Sequence, residues 1–245
     1  GYWNFNEGEG STLNDLSGNG NNGNDGTING ATWSGDVYVP PVYGCMDTYA
    51  ENYSPDATAD DGSCSYPDNG NYSLSFDGVD NGVTGSASNV LQLYDQFSIT
   101  SWIKTDEVRQ YHQIFGTEQY GLALTTPNRI YFVTPNYTEW EPNGPVVGNN
   151  SVPVNEWHHV SVTYDGSDLI YYLDGELDNS ESINYPLDQV TINDFYIGQN
   201  SNGDEYHVGN LDEITVWNTA LSQEQIRANM VTELSGGESG LVGHW

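Results

Sequence analysis

Between residues 69 and 245 apolar and polar positions change over in short runs, not at helical spacing. Tyr72–Phe76, Phe97–Lys104, Gln113–Phe115, Gly121–Thr125, Arg129–Thr134, Trp157–Tyr164, Leu169–Leu173, Thr191–Ile197 and Leu211–Trp217 are β-branched and aromatic stretches. Gly, Asn, Asp and Pro punctuate them, so each reads as a strand. A period of two places Phe97, Ile99, Ser101 and Ile103 on one face, and His158, Val160, Val162 and Tyr164 on another. Tyr164-Asp165-Gly166-Ser167-Asp168 and Leu173-Asp174-Gly175-Glu176 predict hairpins that turn at Asp-Gly. One stretch carries a convincing helical signature, at about 222–231. Ser222 caps it, Gln225 completes a capping box, and Ile226 and Met230 share a face. Many strands and one short C-terminal helix predict an all-β fold, a β-sandwich of the jelly-roll kind.

The first 68 residues divide by composition. Residues 1–40 open with an aromatic, strand-like run, Tyr2-Trp3-Asn4-Phe5. A Gly/Asn turn region follows at 17–23, then a short strand candidate at Thr27–Trp33. Residues 41–68 form an acidic linker module that holds both cysteines, Cys45 and Cys64, 19 positions apart. Two readings exist: a disulfide closing a small loop, or two buried thiols. A stretch this short builds no core without a staple, which favours the bridge and an oxidising, extracytoplasmic setting. The two ends of the chain share a pattern. Gly1-Tyr2-Trp3 and Gly243-His244-Trp245 are offset by 242 positions, which suggests about one period of a tandem array within a larger precursor.

Charge narrows the choice of partners. Asp plus Glu number 35 against 4 Lys plus Arg, for a net charge of −31. A surface so poor in cations cannot hold nucleic acid through phosphates or dock on anionic lipid. No apolar run approaches the roughly 20 residues of a membrane helix, so membrane insertion is not expected. With 36% apolar and 13% aromatic residues, the chain is not composed like a disordered acidic tail.

Ser73-Leu74-Ser75-Phe76-Asp77-Gly78-Val79-Asp80 resembles the opening strand of LamG-like, concanavalin A-like jelly rolls. Four further stretches continue that resemblance in order: Phe97–Lys104, Glu156–Val160, Tyr171–Gly175 and Gly209–Asn218. It covers about 71–245, so residues 69–245 are assigned to the jelly roll. Gly1–Trp33 is similar to the same family. It is either the opening of this copy or the tail of a preceding one, and we assign residues 1–40 to the latter. Residues 44–64 resemble short acidic cysteine-bounded modules of large secreted proteins of marine Bacteroidetes. They are loosely similar to thrombospondin type 3 calcium repeats, although the strict Asp-x-Asp-x-Asp-Gly spacing is absent.

Calcium is the expected cofactor, because hard cations take six to eight oxygen ligands. Asp47, Asp56, Asp60 and Asp61 crowd the cysteine loop, and Asp15, Asn19, Asn21 and Asp25 lie around a Gly-rich turn. The resemblance implies that Asp77, Asp80 and Asp212 lie at neighbouring strand ends and share an ion. The alternative is that these residues serve turns and caps. His158 and His159 point to opposite faces, one packed and one exposed or hydrogen-bonded, not as metal ligands.

Related glucanases place paired carboxylates on one strand as Glu-x-Asp-x-x-Glu, a pattern that Leu211–Val216 lacks. No enzyme is therefore expected. The irregular stretch Pro135–Pro153 carries Tyr137 and Trp140, either a sugar-binding rim or a plug folded onto the sheet. The function expected is a non-catalytic, calcium-stabilised repeat of a secreted or cell-surface adhesin or extracellular fibre. Its partners are neighbouring copies of the same repeat, locked by addition of a strand such as Leu241–Trp245. The alternative is a carbohydrate-binding module for an extracellular polysaccharide, with glycans as partners.

Overall fold

The period-two alternation is realised as two antiparallel sheets stacked face to face. The computed structural model describes residues 2–17, 25–48, 50–65, 72–87, 89–93, 95–133, 147–182 and 191–245. Two small ribbons come first. β1 (Thr12–Leu13) pairs antiparallel with β2 (Gly26–Thr27), and β3 (Tyr43–Gly44) pairs parallel with β4 (Ala59–Asp60). The sandwich strands follow in chain order. They are β5 (Leu74–Asp77), β6 (Val83–Ser86), β7 (Phe97–Thr105), β8 (His112–Thr117), β9 (Gly121–Thr125) and β10 (Arg129–Val133). Next come β11 (Val147–Ser151), β12 (His158–Tyr164), β13 (Asp168–Leu173), β14 (Glu176–Ser182), β15 (Asp194–Ile197) and β16 (Val208–Trp217). Helix α1 (Gln223–Met230) and strand β17 (Leu241–His244) close the chain.

One sheet has the order β11-β10-β9-β8-β15-β6. The other has the order β14-β13-β12-β7-β16-β17, with β5 also on β16. Phe97, Ile99 and Ile103 of β7 meet Val160, Val162, Tyr171 and Val216 on the inner face of the seven-stranded sheet. Ile114, Phe115, Leu122, Leu124, Ile130 and Phe132 face them from the six-stranded sheet. Burying each such side chain contributes roughly 1.5–3 kcal/mol.

A second apolar layer lies on the outer face of the seven-stranded sheet. There α1 buries Ile226 against Tyr172, Trp217 and Leu221. The helix begins where the sequence predicts. Ser222 Oγ accepts from the Gln225 backbone N–H at 3.3 Å, and Ser222 N–H donates to Gln225 Oε1 at 2.9 Å. The chain between β16 and α1 is tied down by Ser98 Oγ, which donates to Thr219 O at 2.8 Å and accepts from Leu221 N–H at 2.8 Å.

Cys45 and Cys64 form the expected disulfide. Around it, Ser54 N–H donates to Cys45 O at 2.9 Å and Thr58 N–H to Val42 O at 2.8 Å. Ala50 fills what little interior the loop has.

Several elements differ from expectation. Tyr2–Phe5 forms no strand, and Tyr2 and Phe5 are 58% and 65% exposed. No sheet edge is offered to that run. Tyr2 instead bonds within its own segment, donating to Asp15 Oδ1 at 2.9 Å and accepting from Leu16 N–H at 2.7 Å. Of Thr27–Trp33, only Thr27 lies in a strand. The stretch Pro135–Pro153 contains β11, whose sequence Val-Gly-Asn-Asn-Ser reads as loop. Leu241–His244 pairs antiparallel with β16 of its own chain.

Candidate functional site

A hollow lies on the outer side of the seven-stranded sheet, where three distant segments converge. It is a cleft of about 510 Å³. Its floor comes from the sheet. Register pairs Trp102 of β7 with His159 of β12, and their rings meet edge to face at 5.4 Å. Trp102 and Trp157 both line the cleft, and Trp157 is 41% exposed.

One wall is the β13–β14 hairpin. Asp174 and Gly175 both have positive φ, at 51° and 72°, the two-residue turn that the Asp-Gly pair predicts. That turn aims Asp174 back at the strand it left. Its Oδ1 accepts from His159 N–H at 2.8 Å, and its Oδ2 pairs with His158 Nδ1 at 2.8 Å. Helix α1 braces the same turn. Arg227 Nε donates to Gly175 O at 3.1 Å, and its guanidinium forms an ion pair with Glu176. Gln223 Nε2 donates to Gly175 O at 2.9 Å and to Glu176 Oε2 at 3.1 Å. The opposite wall is Met46, Asp47 and Thr48 of the disulfide module, immediately after Cys45. Met230 and Val231 complete the apolar lining.

Indole faces, thioether and methyl groups, and carboxylates held by fixed donors make a surface suited to a flat, hydroxylated ligand. The apolar faces stack on its carbons, and the carboxylates accept from its hydroxyls.

Three histidines depart far from ordinary titration, two of them away from the cleft. Burial drives the His112 imidazole down to about 4, with the nearby Arg109 charge adding to the effect. His207 falls to about 3, again mainly by burial and then through His112 and Arg109. The two rings meet at 5.5 Å; neither His112 nitrogen has a hydrogen-bond partner, and the Asn210 backbone lies against the His207 ring. His159, under Trp102, falls to about 3 by burial. These are packed, neutral histidines inside the fold.

The residues expected to bind calcium are mostly used in turns. Asp60 Oδ1 accepts from Gly62 N–H at 3.1 Å, Asp61 Oδ1 from Ser63 N–H at 2.9 Å, and Asp77 Oδ1 from Val79 N–H at 2.9 Å. Asp15 Oδ1 accepts from Tyr2 and Ser17, while the Asp15 N–H donates to Asp25 Oδ1. Asp56 and Asp80 are exposed, and Asp47 faces the cleft. Asn19, Asn21, Tyr137 and Trp140 lie outside the described residues.

The shared site of Asp77, Asp80 and Asp212 is not assembled. Asp77 stands opposite Val208 on β16, whereas Asp212 is four residues further along, opposite Trp102. At about 3.3 Å per residue their backbone positions are roughly 13 Å apart along the strand. A cation of the protein itself serves the turn after β5. Arg109 Nη1 donates to Gly78 O at 2.8 Å and to Tyr206 O at 3.2 Å. Among the described residues no group of three or more His, Cys, Asp or Glu is placed to hold a metal ion.

Sequence reasoning did not single out Trp102, Trp157, Asp174, Glu176 and Arg227 as site residues. They sit inside strand and turn patterns, and only their convergence marks them. One signal was present: Trp157 falls outside the inward-facing set of its strand and has no core to fill.

The family model of the concanavalin A-like lectin/glucanases superfamily (Laminin_G_3) matches residues 76–227, more than half of the chain. No curated protein matches with significance. Among solved structures, a Bacteroides ovatus protein provisionally assigned as carbohydrate-binding is 18% identical with a TM-score of 0.58. The match covers 71% of this chain and 50% of that one, so the chain spans about half of its length. Domain 4 of AbnA, an extracellular GH43 arabinanase from Geobacillus stearothermophilus solved with arabinotriose, is 16% identical. Its TM-score is 0.48, over 60% of this chain and 71% of that domain. A heptameric pentraxin of Limulus polyphemus is 16% identical with a TM-score of 0.48, covering 69% of this chain and 89% of its own. With five family motifs in order, all carried by strands of the seven-stranded sheet, and a family-model match whose span takes in strands of both sheets, the chain belongs to the concanavalin A-like lectin/glucanases superfamily.

Proposed function

We propose that the chain is a non-catalytic carbohydrate-binding unit of a secreted or surface-displayed protein, with the cleft beside α1 as its sugar site. The observation that carries this is the pair Trp102 and Trp157, set beside carboxylates already oriented by fixed donors. Asp174 and Glu176 are each held by two donors, which suits acceptors for sugar hydroxyls better than proton-transferring groups. The disulfide supports an oxidising, extracellular location.

The test is a glycan array followed by calorimetry on Trp157→Ala. We expect at least tenfold weaker binding with an unchanged melting temperature, because Trp157 is half out in solvent. Wild-type protein that binds no glycan would sink the proposal. Loss on Trp140→Ala but not on Trp157→Ala would move the site to the 135–153 stretch.

A fibre or adhesin repeat is the wider context we infer for this unit. It is supported by the seat of the terminal motif. Trp245 packs at 5.4 Å from Phe115 and 4.8 Å from Phe195, reaching from the end of β17 to the six-stranded sheet, and Gly1-Tyr2-Trp3 repeats its pattern. Near-copies in the flanking sequence are the expected finding. Calcium belongs to this proposal as a stabiliser of a −31 chain.

A further inference from the structure

The charges of the cleft are one-sided. Three carboxylates line it, from Asp47, Asp174 and Glu176, against one Arg or Lys, Arg227. That guanidinium is already committed to Glu176 and to the carbonyl of Gly175. His158 also lines the cleft, and its Nδ1 pairs with Asp174 Oδ2 at 2.8 Å. A fourth carboxylate, Glu156, brings Oε2 to 4.0 Å from His158 Nε2.

Two indole faces add to the same preference, because a cation over an aromatic ring is attracted by its quadrupole. The rest of the chain opposes any anion. Of the four Lys and Arg, only Arg227 lines the cleft, and Arg109 is held at the other rim by Glu107, Gly78 and Tyr206. A uronate or sulfated sugar approaching this surface meets a net charge of −31 and no uncommitted guanidinium in the cleft.

Resting on the carbohydrate reading above, we propose that the cleft selects a cationic sugar, an oligomer of amino sugars carrying free protonated amines, over neutral and acidic glycans. The ammonium group enters among Asp47, Asp174 and Glu176, and the pyranose faces lie on Trp102 and Trp157.

The probes are a β-1,4-glucosamine oligomer, its fully N-acetylated twin, and an oligomer of uronates. Each is titrated calorimetrically into the full chain at about pH 6, at low salt and at about 0.5 M NaCl, where surface attraction is screened. We expect the amine oligomer to bind at least tenfold more tightly than its acetylated twin at low salt. High salt should narrow that ratio, and the uronate should not bind. Asp47→Asn with Glu176→Gln should bring the ratio close to one. Equal or tighter binding of the acetylated twin, or any binding of the uronate, overturns this proposal and leaves the carbohydrate reading intact. Absence of binding by all three, together with a blank glycan array, overturns both. A wild-type-like near-ultraviolet circular dichroism spectrum shows that the double variant is folded. If it is not, Asp47→Asn alone, on the exposed module, should lower the ratio at least threefold, and an unchanged ratio overturns the proposal.

Discussion

Acid should unfold this protein through its buried histidines, at a pH where its carboxylates are still largely ionised. His112, His159 and His207 are buried, and burial holds their imidazoles at about 4, 3 and 3 against an ordinary value of 6.5. The native state therefore refuses protons that the unfolded chain accepts below 6.5. Stability is full above that value and declines as pH falls towards the native values. Each proton withheld costs about 1.36 kcal/mol per pH unit, so two units below 6.5 one ring has removed about 2.7 kcal/mol and the three together about 8. A domain of ordinary stability has about 5–15 kcal/mol to lose, so most of it should be gone near pH 4.5.

The carboxylates held low by turn bonds, such as Asp61, Asp165 and Glu238, add their own loss only at still lower pH. Partial neutralisation of the −31 charge acts in the opposite direction, by relieving self-repulsion, and about 0.5 M NaCl in every sample suppresses it. The assay is urea unfolding followed by tryptophan fluorescence from pH 7 to 4.5. The informative variant is His112→Leu with His207→Leu. It replaces two buried rings, His112 without a hydrogen-bond partner and His207 against the Asn210 backbone, with apolar groups of similar size, so stability at pH 7 should hold within about 1 kcal/mol. The variant should recover about 5 kcal/mol of the acid loss at pH 4.5. An unchanged pH slope in the variant, or a flat wild-type profile between 6.5 and 4.5, would refute the reasoning.

Other outcomes follow from single positions. Gly209 has φ of +123°, and a Cβ there would strike Lys104 O on the neighbouring strand, so Gly209→Ala should cost about 3 kcal/mol or more in urea unfolding. Ser222→Ala removes the acceptor of the capping box and should cost about 1 kcal/mol, read from the thermal midpoint. Replacing Cys45 and Cys64 by Ser should loosen the module by about 3 kcal/mol. The same change should weaken sugar binding in calorimetry, because Met46 and Asp47 form one wall of the cleft. If calcium stabilises the chain, EDTA should lower the melting temperature and added calcium restore it. An identical melt with and without EDTA removes calcium from the account.

Much of the scaffold is legible locally. Phe97–Ile103 alternates because every second residue enters one core, and Asp174-Gly175 turns because both residues take positive φ at little cost. Ser222 and Gln225 announce α1, and the cysteine spacing announces the bridge. Elements held only by distant partners are not legible. β11 is a polar run recruited by β10 and clasped by Asp178, which accepts from both Asn150 nitrogens at 3.0 and 2.7 Å. β14 is acidic and serine-rich, and it exists because the hairpin delivers it to the edge of β13. β6 depends on Gly85, whose missing side chain leaves room for the ring of Phe195.

The amino-acid sequence by itself determines the β class, the Asp-Gly turns, the capped helix and the disulfide pair. Each of these rests on residues close in the chain, or on a sum over all of it. Tertiary structure alone decides that Trp102, Trp157, Asp174 and Arg227 meet beside Asp47, that Asp77 and Asp212 stay apart, and that two histidines 95 positions apart become neutral neighbours. The physical reason is that strand register and sheet stacking set these distances. Both arise from burying side chains against partners far along the chain, which local alternation does not specify.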